Sequence, residues 1–258
     1  MEIIQSIVLG IVQGVTEFLP ISSSAHLVVI PWLFHWQDPG LTFDMALHLG
    51  TLFAIVIYFW RDWLDILRKW REPLLWLIML ACLPAGYFGY KYEEYFSTVF
   101  RGPMIIGLLM IVFAFVLLWA EAYGKKKREM SSLNIFDAVI IGFAQVLALM
   151  PGVSRSGITM VAGLFMGLSR PSAARFSFLL STPIIGGAAV FKLRHIMVHG
   201  LPGTEAMAFI IGTLTSAIVG AWTIKYLMQY LQKHSFNIFV WYRLIAGAFI
   251  LAAAWLAI

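Results

Sequence analysis

The sequence holds a single cysteine, Cys82, and only 12% of its 258 residues are charged. One thiol excludes an intramolecular disulfide, so nothing in the fold depends on the redox state of its compartment. The shortage of charge excludes an ordinary soluble domain, which carries about 25% charged and roughly 45–50% apolar residues. Here 61% of residues are hydrophobic and the mean hydropathy is +0.86. Such a chain needs lipid around it and reads as an all-α polytopic membrane protein. It also lacks a basic start. MEIIQSIVLG opens with an acid and no small-residue cleavage site follows, so the segment is expected to be retained rather than removed as a signal peptide. Acids are the scarcer charge, leaving a net +5. In a membrane protein, basic loops facing anionic lipid account for that excess, and no nucleic-acid partner is called for.

What is present is apolar length. A transmembrane helix needs about 20 mostly apolar residues. Six stretches qualify, roughly 41–60, 73–90, 103–121, 174–192, 205–228 and 239–258. Two further regions, 3–36 and 135–169, are apolar but each is cut by a polar motif containing proline. A half-helix, a polar loop and a second half-helix that re-enters the side it came from fits both. Such breaks survive at membrane depth only when buried in protein or lining a wet cavity. The basic segments RDWLDILRKWRE, with Arg61, Arg68, Lys69 and Arg71, and GKKKRE, with Lys125, Lys126, Lys127 and Arg128, should be cytoplasmic. The loops near 91–102 and 193–204 should be external, as should both termini. The first hairpin then dips in from outside and the second from the cytoplasm.

The two cut regions resemble each other. GIVQGVTE at 10–17 matches GFAQVLAL at 142–149 in Gly and Gln, and LPISSSAH at 19–26 matches MPGVSRSG at 150–157 in Pro and Ser once one residue is dropped between the blocks. Entry from opposite sides is what an inverted-topology repeat produces. A single membrane domain, 1–258, is then expected, with one repeat at about 1–121 and the other at about 135–258.

In such a fold the two breaks meet near the midplane, with half-helix N-termini facing the site. Pro20 and Pro151 should end the incoming helices, because proline removes a backbone donor and clashes with the previous turn. Ser22, Ser23 and Ser24, and Ser154, Arg155 and Ser156, then start the outgoing helices, where free N–H groups and the dipole favour an anion. Arg155 adds a permanent charge with a fork suited to phosphate. Glu17 in an apolar segment is expensive and by default functional. Its sensible partners are a divalent cation, Arg155 or His26. Mg²⁺ or Ca²⁺ would take oxygens from Glu17, from Gln13 one turn away, and from phosphates. His26 follows Ser22 and Ser23 by four and three residues, which puts a hydroxyl nucleophile beside a candidate base. Ser156 and Thr159 either cap a helix or touch substrate. Asp44 and His48 share a helix face behind the first hairpin. His35, His195, His199 and His234 read as interfacial, and Gly163 and Gly167 as close helix packing.

At QGVTEFLPISSSAH (13–26), PGVSRSGIT (151–159) and YRLIAGAFIL (242–251) the chain resembles the undecaprenyl pyrophosphate phosphatase family, the bacitracin-resistance type of bacterial membrane enzyme. The resemblance spans essentially the whole chain. It implies an inverted repeat with two re-entrant helix pairs and six spanning helices, in the bacterial cytoplasmic membrane. The active site is expected to open to the external side. The family's acidic pair falls on Gln13 and Glu17. Many members have Glu at the first of these, so Glu17 is left as the main anionic ligand of a divalent cation. The serine and histidine motif falls on Ser22, Ser23 and His26, with Ala25 where many members have Gly. The arginine loop falls on Ser154, Arg155, Ser156 and Thr159.

The expected reaction is removal of the terminal phosphate of a polyprenyl diphosphate lipid, recycling the carrier of peptidoglycan synthesis. Ser23 is the expected nucleophile, activated by His26, with Glu17 on the metal and Arg155 on the phosphates; His26 or water as nucleophile stays open. Ser22, Ser24, Ser154, Ser156 and Thr159 are the expected substrate contacts. Membrane lipids surround the protein and a homodimer is left open. The competing class is a lipid-phosphate flippase, which shares the broken-helix architecture but has no need of Ser23 beside His26.

Overall fold

The computed structural model describes residues 2–199 and 206–257, without the side chains of Glu93, Ser97 and 191–199. The loop near 193–204 and the side chains of His195 and His199 therefore fall outside the described residues. Eleven α-helices follow in order among them: α1 (Ile3–Thr16), α2 (Ser23–Leu33), α3 (Gly40–Tyr58), α4 (Trp60–Arg68), α5 (Pro73–Val99), α6 (Pro103–Tyr123), α7 (Ile135–Val146), α8 (Arg155–Phe165), α9 (Arg170–His199), α10 (Ala206–Tyr230) and α11 (Asn237–Leu256). Six segments are long and apolar enough to cross a bilayer: Gly40–Tyr58, Pro73–Tyr92, Pro103–Tyr123, Arg170–Val190, Ala206–Tyr230 and Asn237–Leu256. They coincide with the six stretches read from hydropathy. This is a multi-pass membrane protein.

The four helices of the two cut regions, α1, α2, α7 and α8, have 14, 11, 12 and 11 residues. At 1.5 Å per residue each reaches only about 16–21 Å, short of a hydrocarbon core of about 30 Å. Their direction follows from what they touch. Gly10 packs on Thr215 and Gly14 on Val219, so α1 runs parallel to α10. Gly50 packs on the Thr213 carbonyl and Ser216, and Gly220 packs on Ala54, so α3 is parallel to α10 as well. Between them α2 returns the chain toward the end where α1 began. In the other half Gly142 packs on Ala81 and Gly89 faces Leu149, which makes α7 parallel to α5.

Charge is sorted to the ends. Arg175 pairs with Asp62, Arg170 and Lys126 pair with Glu121, and Arg128 holds Asp137 at 2.7 Å. These ties gather α4, the α6–α7 loop and the start of α9, so the two basic loops share one end, as positive-inside sorting requires. At the other end Arg101 binds Asp38 at 3.0 Å and reaches Asp44 at 3.5 Å. The span of α9 is 56% buried against 33% or less for the other five, so α9 is the central post. Its Phe178 stacks edge-on to Phe18, just beyond α1, with ring centroids 5.4 Å apart. Of the two glycines read as packing positions, Gly163 is one: a Cβ there would lie 3.1 Å from Ala173. Gly167 is different. Its φ of +85° ends α8 in the left-handed region, and its carbonyl accepts the N–H groups of Lys127 and Arg128 at 3.0 and 2.9 Å.

Candidate active site

The two breaks are built alike. Helix α1 stops at Thr16 and α7 at Val146, each several residues before its proline, so Pro20 and Pro151 lie within the turns and do not mark the last helical residue. Proline disfavours helix at the residue before it, which moves the stop upstream. The outgoing helices start at N-caps Ser22 and Ser154, with φ of +75° and +76°. In each, the cap hydroxyl accepts an N–H three residues on, from Ala25 at 3.4 Å and from Gly157 at 3.1 Å. In each it also lies 3.2 Å from the hydroxyl two residues on, Ser24 or Ser156. The spacing from Gln13 to Ser22 equals that from Gln145 to Ser154. The structural match therefore drops no residue, and the alignment anchored on the prolines is one position out. Pro20 corresponds to Gly152, Ser23 to Arg155 and Glu17 to Leu149.

This correspondence explains the centre of the site. Ser23 and Arg155 are the first residues of α2 and α8, and both reach the same carboxylate. The Ser23 hydroxyl donates to Glu17 Oε2 at 2.5 Å, and Arg155 donates to Glu17 Oε1 at 2.5 Å. Gln13 Nε2 donates to Oε2 at 3.1 Å, and His48 Nε2 lies 3.5 Å from the same oxygen. Glu17 itself is 6% exposed and Gln13 fully buried. A carboxylate this deep is tolerable because four polar groups surround it.

Not every expected neighbour is there. His26 does not face Ser23. Its Nδ1 sits 2.7 Å from the Ser22 carbonyl and its Nε2 2.6 Å from the Tyr242 hydroxyl. The helical spacing brings residues 22, 23 and 26 to one side, but the ring turns back onto the first carbonyl of its own helix. Thr159 bonds the Ser177 hydroxyl at 2.6 Å and the Arg155 carbonyl at 2.8 Å, which fastens α8 to α9 beneath Arg155. Ser156 donates to the Leu19 carbonyl at 3.2 Å and so ties one break to the other. Exposed His35 and His234 stand outside the spans, as interfacial residues do.

Arg243 escaped the sequence reading. It is 1% exposed inside α11 and donates to three carbonyls: Met110 at 3.2 Å, Pro20 at 3.1 Å and Gly152 at 2.7 Å. Pro20 and Gly152 are the corresponding positions of the two breaks, so one guanidinium pins both. Gly152 N–H also donates to Ser22 Oγ at 3.1 Å. The signal was a lone arginine within an otherwise uncharged apolar span, a placement that is costly unless the charge is used.

Residues 6–249 match the family of bacitracin resistance protein BacA. The chain belongs to that family. It is similar over 263 residues to an undecaprenyl-diphosphatase of Moorella thermoacetica, at 49% identity and 99% of both chains. An undecaprenyl-diphosphatase of Pelotomaculum thermopropionicum is 51% identical over 98% of each. That of Elusimicrobium minutum is 49% identical over 98% of this chain and 99% of its own.

The resemblance to this family implies a divalent cation, and the donors fit one in part. Among the described residues no three His, Cys, Asp or Glu side chains cluster. Glu17 and Gln13 nonetheless supply hard oxygens side by side, and Gln13 Oε1 is buried with no partner. Turned over, that amide would set Oε1 against the Glu17 carboxylate, an arrangement that a cation stabilises. Two protein oxygens with phosphates completing the shell suit Mg²⁺, which is held by one or two carboxylates plus substrate.

Proposed function

We propose that this chain is a phosphatase that removes the terminal phosphate of undecaprenyl diphosphate or a similar polyprenyl diphosphate, the activity for which its relatives are named. The observation that carries the reading is the Glu17 carboxylate, with the Ser23 hydroxyl on one oxygen and Arg155 on the other. A serine hydroxyl is a weak nucleophile until an adjacent base takes its proton. The Ser23 hydroxyl donates to Glu17, and His26 bonds the Ser22 carbonyl and Tyr242 instead, which supports Glu17 as that base.

The terminal phosphate is drawn to Arg155 and to the two helix starts, which offer charge, fork geometry and free N–H groups. As the phosphate engages Arg155, Glu17 shares that charge with it and becomes the better proton acceptor. Ser23 Oγ then bonds to the terminal phosphorus while Glu17 takes the hydroxyl proton. The bond from phosphorus to the bridging oxygen breaks and the polyprenyl monophosphate leaves. Water cleaves the phosphoserine, releasing inorganic phosphate and restoring Ser23. Positioning and charge stabilisation dominate such transfers. Gln13 and Glu17 would hold a Mg²⁺ or Ca²⁺ ion, which when bound spreads the phosphate charge. The reaction returns the lipid carrier of cell-wall synthesis to its monophosphate.

We infer also that α1–α6 and α7–α11 are inverted repeats of one membrane domain. The matched N-caps and the parallel pairs α1–α10 and α7–α5 support this. With the basic loops in the cytoplasm, the first hairpin brings Glu17 and Ser23 in from the external face of a bacterial cytoplasmic membrane. The test is inorganic phosphate release from a polyprenyl diphosphate by the purified protein in detergent, with and without chelator. Release that requires a divalent cation and stops in Ser23→Ala, with phosphoserine at Ser23 in quenched wild type, is the expected result. A folded wild type that releases nothing in the presence of cation rejects the reading in favour of lipid transport.

A further inference from the structure

The imidazole of His26 has both nitrogens engaged. Its Nδ1 faces the Ser22 carbonyl at 2.7 Å, and a carbonyl can only accept, so Nδ1 carries a hydrogen. In the neutral ring Nε2 is then an acceptor, and the Tyr242 phenol at 2.6 Å is its donor. When the ring is protonated the direction reverses. Nε2–H donates to the phenol oxygen, and the phenol hydrogen is free to point elsewhere. The rings stack at 5.7 Å with 21° between their planes, which holds this geometry. The backbone carbonyl is no proton acceptor of use. His26 therefore exchanges protons with a substrate only through the Tyr242 hydroxyl.

Tyr242 is the exposed member of this pair. It lies on α11 one residue before Arg243, the pin between the two breaks, and 41% of it is exposed. The imidazole is partly buried behind it. Ser23, by contrast, is already served by Glu17 and needs nothing from His26. One base at the nucleophile and one acid at the far side of the phosphate is the division that in-line displacement asks for.

We propose that Tyr242 is a further catalytic residue, the outer half of a His26–Tyr242 relay that protonates the leaving phosphate oxygen. The inference rests on the phosphatase reading above. In the step, the bond between the terminal phosphorus and the bridging oxygen breaks and that oxygen takes the phenol hydrogen. The phenol oxygen takes the hydrogen of His26 Nε2, and His26 is left neutral with its hydrogen on Nδ1. Water reprotonates the ring, through the exposed Tyr242 hydroxyl, before the next turnover.

The experiment is a double-mutant cycle on phosphate release, with Tyr242→Phe, His26→Gln and both together, in the full-length protein in detergent with a polyprenyl diphosphate. Tyr242→Phe keeps the ring and the stack and removes only the hydroxyl, so folding is retained. General acid catalysis typically contributes 10²–10⁴-fold, so kcat should fall about 10²-fold in Tyr242→Phe with KM changed less than about twofold. The double variant should be no slower than His26→Gln alone, because a broken relay cannot be broken twice. Histidine-selective ¹⁵N spectra should show the His26 Nε2 signal shifted in Tyr242→Phe. Additive losses in the cycle, or an unmoved Nε2 signal, overturn the relay. A fully active Tyr242→Phe beside an active wild type overturns the relay and leaves the phosphatase standing. A wild type that releases no phosphate removes both.

Discussion

The two helix breaks share a backbone and differ in chemistry. Ser22 and Ser154 cap their helices at the same unusual φ, and Ser24 and Ser156 stand against them alike. At the corresponding positions between and beyond, the first break carries Glu17, Ser23 and His26, and the second carries Leu149, Arg155 and Ile158. One break holds the carboxylate and the serine proposed as base and nucleophile, and the other holds the arginine that pairs with that carboxylate. The comparison teaches that the two breaks share a frame of two helix starts with hydroxyl caps. The polar side chains are placed on that frame unequally. The Ser23 and Arg155 positions, equivalent by fold, converge on one carboxylate because the two frames face each other.

The largest effect should come from breaking that convergence. Arg155→Ala removes the charge opposite Glu17, and phosphate release should fall about 10³-fold, the loss expected when a charged donor leaves a phosphoryl-transfer site. Arg155→Lys keeps the charge but not the fork, and a loss of roughly 10²-fold is expected. An Arg155→Lys variant as active as the wild type would show that fork geometry at this position does not matter, and equal losses in the two variants would show that charge without the fork contributes nothing.

Next comes the pin. Arg243→Lys offers one ammonium where a guanidinium reaches Met110, Pro20 and Gly152. At least one carbonyl loses its donor, and kcat should fall on the order of 30-fold while the melting temperature in detergent drops. A variant that melts early but turns over normally when folded would make Arg243 a brace only, with no hold on the geometry of the two breaks.

Gly152 and Pro20 occupy one position in two frames, yet Gly152 has φ of +104° and Pro20 is locked near −65°. A Cβ at Gly152 would also lie 2.9 Å from the Ile106 carbonyl. Gly152→Ala should therefore cost about 2 kcal/mol in stability, read as a lowered melting temperature. The frames diverge here and reconverge two residues later at the caps.

The two buried glutamines sharpen the contrast in the cation. Gln13→Glu puts a second carboxylate next to that of Glu17, and the Mg²⁺ concentration for half-maximal phosphate release should fall on the order of tenfold. Gln145→Glu puts a carboxylate beside Leu149, with no acid to share a cation. It should destabilise the protein without moving the Mg²⁺ requirement. The same shift in both variants would place the cation away from Glu17.

How much of this was legible follows from what each signal depends on. The six spans and both cuts were legible because hydropathy over about 20 residues is a local property and proline interrupts it locally. The partnership of Glu17 with Arg155 was legible as one of three choices, because two opposite charges in an apolar chain have few other partners. The pairing of His26 was not, because helical spacing says which residues share a side and not which way a ring turns. Arg243 was not, because its partners are carbonyl groups, which every residue has. The alignment of the repeats was misread because proline looked like the fixed point. The fixed point in the fold is the serine with positive φ.

The smallest predicted effect tests that fixed point. Ser22→Gly and Ser154→Gly both relieve a left-handed φ that glycine adopts freely, and both lose one cap bond, to Ala25 or Gly157. Ser22 loses a second bond, from the Gly152 N–H, which is left buried without a partner. No such bond exists at Ser154, because the corresponding residue is Pro20, which has no N–H to give. Ser154→Gly should be neutral within about 0.5 kcal/mol, since relief and cap loss offset. Ser22→Gly should be destabilising by about 1 kcal/mol, the usual cost of an orphaned buried donor. Thermal unfolding of the two variants under the same detergent measures the difference directly. If they unfold together, the bond from Gly152 to Ser22 contributes nothing, and the two frames are held face to face by Arg243, the Ser156–Leu19 bond and the Arg155–Glu17 pair.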